Sequence, residues 1–494
     1  MKITLGRMSC AVSARRFLPA LAALLLGVVL SASPLGAALK DPVRTQSGLL
    51  AGMPAIDPAI TAFKGIPFAA PPVGNLRWKA PQPPATWEGI RQADKFGPSP
   101  IQRIVVESKP WTHEFMTHGE VSEDCLYLNV WTPAKAPTEK LPVFVWIYGG
   151  GYTEGSGAVD VYNGEGLARK GLVTVTINYR VGPFGFFAHP ELTAESGYNA
   201  SGNYGILDAL AALKWIQANI ASFGGDPGNV TIAGQSAGSG VTQALLLSPL
   251  GKGFFHRAIM ESGPAIGVGT ARLPAQETNG VNFGEARSAH SLAELRTLKW
   301  EQIFQTPPPA PAPAPVAGAA PAAAARGGRG GAVRGGPFID GYVLPAPAGE
   351  LLAAGKQNDV PVIGGGNAKD LGALGSMPAT LQWTAARNAT SKTPSYVYYF
   401  THVLPGPDAA KDGAFHTSEV PYALNTLFMS DRPFTDSDHR MADLMSQYWV
   451  NFAKTGNPNG PGLPRWLSTA EAPGKVMELG DNSGMIEPPP SAAP

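Results

Sequence analysis

The chain is poor in cysteine and nearly without net charge. Its 494 residues include two cysteines, Cys10 and Cys125. Cys10 falls in a stretch that reads as a removable leader, which leaves one thiol, and one thiol closes no internal disulfide. Stability must then come from core packing, and a chain of this length with 44% hydrophobic residues can supply it. Lys and Arg number 38 against 37 Asp and Glu, a net charge of +1. That balance gives no electrostatic reason to expect nucleic acid or an anionic membrane as a partner. Past the N-terminus no apolar run is long enough to span a bilayer, and no internal repeat is present.

What is present begins with a leader. Lys2, Arg7, Arg15 and Arg16 precede an apolar run from Leu18 to Leu30, and Gly36-Ala37-Ala38 offers small residues for cleavage after Ala38. Residues 1–38 are therefore expected to be a secretory signal peptide, with residues 39–494 as the exported catalytic domain, periplasmic or extracellular. Once the signal is cleaved, no stable membrane insertion is expected. Arg15-Arg16 hints at a twin-arginine signal without its usual spacer.

The mature region alternates buried strands with helices. Val143 to Tyr148, Leu172 to Tyr179, Val230 to Ala233, Val360 to Ile363 and Tyr396 to Phe400 are apolar runs of strand length. The Val360 strand is expected to end at Gly364-Gly365-Gly366. Ile206, Leu210, Leu213, Ile216 and Ile220 recur at helical spacing, which predicts an amphipathic helix over 204–222; further helices are expected at 243–247 and 441–452. The fold class implied is α/β, with a mostly parallel central sheet and helices on both faces. Residues 307–336 break the pattern: Pro/Ala-rich and then Gly/Arg-rich, they form a low-complexity insertion unable to bury enough apolar surface to offset its ordering entropy.

Gly234-Gln235-Ser236-Ala237-Gly238 lies between an apolar strand and a helix-compatible stretch. A strand that turns sharply into a helix holds the serine in a strained conformation with Oγ exposed, and bulk at either glycine would clash with the turn. Ser236 is the candidate nucleophile. A serine hydroxyl needs a base, and the oxyanion it generates needs hydrogen-bond donors. Tyr148-Gly149-Gly150-Gly151 follows a strand, so the N–H groups of Gly150 and Gly151, with that of Ala237, are expected to form the oxyanion hole.

At this point the sequence resembles the type-B carboxylesterases, the cholinesterase-like branch of the α/β-hydrolases. Phe223-Gly224-Gly225-Asp226-Pro227 followed by 229–238 is similar to that family's active-site signature. Glu123-Asp124-Cys125-Leu126-Tyr127-Leu128-Asn129-Val130 is similar to its second signature, and 63–69 with 71–78 to its N-terminal block. The resemblance implies an α/β-hydrolase fold and a triad in the order Ser, acid, His. His416, in Gly413-Ala414-Phe415-His416, matches the histidine motif; His402 is the runner-up. In Asn367-Ala368-Lys369-Asp370-Leu371-Gly372, Asp370 falls where the family usually has glutamate, with Glu419 as the alternative acid.

Three departures from the family stand out. No cysteine lies near 96–100 to pair with Cys125, so Cys125 should be a free, buried, structural thiol. Gln235 replaces the glutamate of the cholinesterases, which argues against choline esters. Only 46 positions separate Asp370 from His416, so a shortened helical roof and a more open site are expected, able to take bulky as well as small-molecule esters. The chemistry implied is hydrolysis of carboxylic esters through a Ser-His-Asp triad and an acyl-enzyme, with no metal and no organic cofactor. An amidase or lactonase would use the same parts, and a catalytically inactive esterase-like adhesion module would lack the serine or the histidine.

Overall fold

A computed structural model describes residues 39, 41–267, 269–305, 335–371 and 377–489. The expected leader and nearly all of the 307–336 insertion lie outside the described residues. All described residues belong to one unit of the chain.

Eleven strands among the described residues form one sheet. In chain order they are β1 (Met53–Pro54), β2 (Thr61–Pro67), β3 (Tyr127–Thr132), β4 (Leu141–Ile147), β5 (Val173–Ile177), β6 (Gly225–Gln235), β7 (Arg257–Glu261), β8 (Val362–Asn367), β9 (Ser395–Phe400), β10 (Val476–Leu479) and β11 (Gly484–Ile486). Their order across the sheet is β11-β10-β9-β8-β7-β6-β4-β5-β3-β2-β1. Every neighbouring pair from β10 to β5 is parallel, whereas β11 at one edge and β3, β2 and β1 at the other pair antiparallel. The fold is an α/β-hydrolase fold. Every residue of β5 is buried, as are Val143 to Ile147 of β4, so both faces of the sheet are covered.

Four of the longer helices among the described residues are α1 (Tyr204–Asn219), α2 (Ala237–Leu247), α3 (Met377–Asn388) and α4 (Asp436–Thr455). α1 differs from the expectation of an amphipathic helix. Only Lys214 and Ala218 are well exposed, because the helix lies under further layers of chain rather than at the surface. It ends at Asn219, and a single 3-10 turn, Ile220–Phe223, continues to Gly224, whose φ of 78° a side chain would oppose.

β8 also departs from its sequence reading. Gly364-Gly365-Gly366 do not end the strand, which runs through them to Asn367. The reason is space. A Cβ on Gly365 would lie 2.2 Å from the Tyr398 ring on β9, so glycine here admits a neighbouring aromatic instead of turning the chain. β8 thereby delivers the acid loop one residue beyond its glycines.

Motifs that carry no chemistry act as clips. Arg77 of the N-terminal block donates Nε to Glu123 Oε2 at 2.7 Å and Nη1 to the Leu298 carbonyl at 2.7 Å. Arg180, after β5, pairs in two bonds with the buried Asp208 of α1 at 2.8 and 2.7 Å.

Candidate active site

The turn from β6 into α2 carries Ser236. Its φ of 58° and ψ of −122° lie where L-residues are rarely found, at a cost of about 1–3 kcal/mol. The backbone is pinned by Ser236 N–H donating to the Glu261 carbonyl at 2.9 Å and Gly240 N–H donating to the Ser236 carbonyl at 3.0 Å. The flanking glycines are required by contact. A Cβ on Gly238 would sit 2.0 Å from the Ile147 carbonyl oxygen, and one on Gly234 would sit 2.5 Å from the Gly238 backbone. The tip of β4 and the start of α2 thus touch through backbone alone.

β4 then leads to the triple glycine. Tyr148 stacks on Tyr179 at 4.4 Å between centroids, and each phenol donates to the other's carbonyl, at 2.5 and 3.1 Å. This fixes the start of the loop. Gly150 and Gly151 take φ of 111° and 60°, and the Gly150 carbonyl turns away to accept from Thr153 and Glu154 at 3.0 and 3.1 Å. Among the described residues the N–H groups of Gly150, Gly151 and Ala237 reach no protein acceptor. The two glycines line the same cavity as Ser236.

β8 and the loop after β9 bring Asp370 and His416 together. His416 Nδ1 is hydrogen-bonded to Asp370 Oδ1. The carboxylate, 5% exposed, is aimed by the Asn367 N–H at 2.9 Å and the Leu371 N–H at 3.2 Å. The two loops are joined by Lys369 N–H to the Ala414 carbonyl at 2.9 Å and Asn367 Nδ2 to the Phe415 carbonyl at 2.7 Å. His416 and Ser236 line one cavity, with Asp370 behind the ring. His416 Nε2 lies 3.3 Å from Gln235 Nε2. Neither ring nitrogen is hydrogen-bonded to Ser236 Oγ among the described residues.

Glu419, the alternative acid, is adjacent but engaged elsewhere. It accepts from Ser262 Oγ at 3.2 Å and from Asn367 Nδ2. Burial and the Asp370 charge push its carboxyl up to about 7. Glu261, at the end of β7, is fully buried and accepts from Trp449 Nε1 at 2.8 Å. Burial, and then Glu419, raise it well above the usual carboxyl range. His402 is held away from the cavity, with Nε2 and Nδ1 each 3.0 Å from Asp438 and Asp481.

The cavity measures about 390 Å³, and Trp111, Phe115, Met116 and Leu371 give it an apolar wall. Trp111 went unnoticed in the sequence. Its Nε1–H donates to the His416 carbonyl at 3.0 Å, so the wall also steadies the histidine loop. Asn367 was visible only as part of a motif, not as the link between Asp370 and Glu419. Cys125 is a buried free thiol, driven up by burial. Among the described residues no group of three or more His, Cys, Asp and Glu is placed to hold a metal ion, and no helix is long and apolar enough to cross a membrane.

The sequence pattern of the Carboxylesterase family matches residues 40–380 and 376–491. Fumonisin B1 esterase of Sphingopyxis macrogoltabida is 35% identical, over 92% of this chain and 90% of that one. Para-nitrobenzyl esterase of Bacillus subtilis (strain 168) is 33% identical, over 84% and 90%. Among solved structures, a PNB esterase superposes with a TM-score of 0.75 at 27% identity, covering 91% of this chain and 98% of that chain. A Geobacillus stearothermophilus carboxylesterase gives 0.74 at 28%, with the same coverage.

Proposed function

The chain belongs to the carboxylesterase family and is a serine hydrolase of carboxylic esters; from there we propose that Ser236, His416 and Asp370 are its nucleophile, base and orienting acid. The observation that carries this reading is the convergence of a strained Ser236 and an Asp370-bound His416 on one cavity.

Ser236 Oγ attacks the ester carbonyl carbon while its proton passes to His416 Nε2. The carbonyl oxygen becomes an oxyanion facing the N–H groups of Gly150, Gly151 and Ala237, and losing one such donor costs about 2.7–4 kcal/mol of transition-state stabilisation. Asp370 holds the ring with Nδ1 protonated and steadies the imidazolium. Collapse breaks the ester C–O bond, and the alcohol leaves with the proton from Nε2. Water then attacks the acyl-enzyme, gives a proton to Nε2, and the acid departs as Ser236 is restored. The test is hydrolysis of short-chain aryl esters by the protein beside its Ser236→Ala variant. A loss of roughly 10³–10⁶-fold is expected, and equal rates would overturn the assignment.

The substrates are small-molecule esters, bulky ones included. The short stretch between Asp370 and His416, with α3 as its one long helix among the described residues, supports an open site. In a panel varying acyl and alcohol size separately, kcat/KM should hold as one side grows; a steep fall with size on both sides would contradict this. Residues 1–38 are proposed to export the protein, which secretion of the full chain and N-terminal sequencing of the product would test.

A further inference from the structure

We propose that Gln235 is a positioning residue for the base: its side-chain amide caps His416 Nε2 in the resting enzyme and favours the uncharged ring. The inference rests on the reading of His416 as base. Its basis is a contact between two side chains that the ordinary triad does not pair.

Asp370 fixes the tautomer. A carboxylate at Nδ1 requires the proton on Nδ1, which leaves Nε2 as a bare acceptor. The group 3.3 Å from that acceptor is the Gln235 amide nitrogen, a donor. Gln235 Oε1 lies under the oxyanion loop, where a Cβ on Gly149 would be 3.1 Å from it. Gln235 is 1% exposed, so little water competes for the contact. Its backbone is locked at the end of β6, in register with Glu261 of β7.

A neutral donor at Nε2 favours the uncharged ring, whereas a carboxylate at the same place would favour the imidazolium. The other charged groups around the ring are Asp370 at Nδ1, Glu419 behind Asn367, and Glu154 and Arg103 on the cavity wall. One buried carboxylate, that of Asp370, already faces the ring at Nδ1. A second, directly at Nε2, would add to its pull on a proton, whereas an amide does not. Gln235 supplies the opposite influence, and it yields Nε2 to Ser236 when substrate draws the hydroxyl in.

The test is the pH dependence of kcat/KM on a neutral aryl ester for the wild type, Gln235→Met and Gln235→Glu, with His416→Ala alongside. Methionine keeps the volume and removes the donor, so the acid limb should move up by about half a unit to one unit. Glutamate should move it further, by about 1–3 units. A limb that stays in place in Gln235→Met, whatever the loss in rate, overturns the cap and leaves only a packing role, even if Gln235→Glu shifts it by charge. His416→Ala separates the two failures. If it keeps the wild-type rate, the base assignment falls and the cap with it. If it is inactive while the Gln235→Met limb is unmoved, only the cap falls.

Discussion

The backbone N–H of Asn367 donates to Asp370 Oδ2 at 2.9 Å. Through its side chain the same residue donates to Glu419 and to the Phe415 carbonyl. One asparagine at the end of β8 thus separates two carboxyls and ties the acid loop to the histidine loop. Asn367→Ala keeps the backbone donor but strands a buried carbonyl and a buried carboxyl. It should cost about 1–3 kcal/mol of stability and lower kcat/KM roughly tenfold as the histidine loop loosens. Denaturant midpoints and steady-state kinetics check this; an unchanged midpoint would contradict the bridging role.

Glu419 makes stability depend on pH with an unusual sign. Its folded-state carboxyl is raised from 4.5 to about 7, so between those values the native state holds a proton that the unfolded state has released. Stability contributed by this group is full below about 4.5 and falls as pH rises through 7. Glu419→Gln keeps the shape and removes the titration. Thermal midpoints measured from pH 5 to pH 8 should fall less steeply with pH in the variant. A steeper fall would be the contrary result.

The elbow has no room for a methyl group. Gly238→Ala would bring a Cβ to 2.0 Å from the Ile147 carbonyl oxygen, backbone against backbone. Relief requires parting α2 from the tip of β4, so a loss of roughly 3 kcal/mol or more is expected, beyond ordinary overpacking. Equilibrium unfolding of the purified variant measures it, and a wild-type midpoint would show that the turn relaxes without cost.

His402 is the histidine on which the proposed base assignment can be checked. Its two ring nitrogens lie between Asp438 and Asp481, away from Ser236. His402→Ala leaves Asp438 with Thr435 N–H at 2.8 Å and Tyr422 OH at 2.7 Å. The variant should lose about 1–3 kcal/mol of stability while kcat/KM at low temperature stays within about threefold. A collapse in rate with intact stability would move the base assignment to His402.

The sheet was legible because its central strands are continuous apolar runs, and continuity of that kind arises only where both faces are covered. The elbow was legible because glycines two residues before and two after Ser236 meet a contact that permits nothing larger. His416 and Asp370 were reached through motif resemblance, since no periodicity marks a loop residue. Composition misled at Gly364 to Gly366, where the strand runs on and Gly365 makes room for Tyr398 instead of turning the chain. Periodicity misled at α1, because an apolar stripe sets one buried face and says nothing of chain that later covers the other. The Trp111 bond to His416 and the Gln235 contact at Nε2 join residues 305 and 181 positions apart. No local pattern encodes such pairings.

The central claim, that Ser236 is the activated nucleophile, is tested most directly by labelling the protein with a fluorophosphonate and mapping the modified peptide by mass spectrometry. One adduct is predicted, on Ser236, lost in Ser236→Ala and strongly slowed in His416→Ala. An active protein whose adduct maps to another residue, or that hydrolyses esters without being labelled, would contradict it.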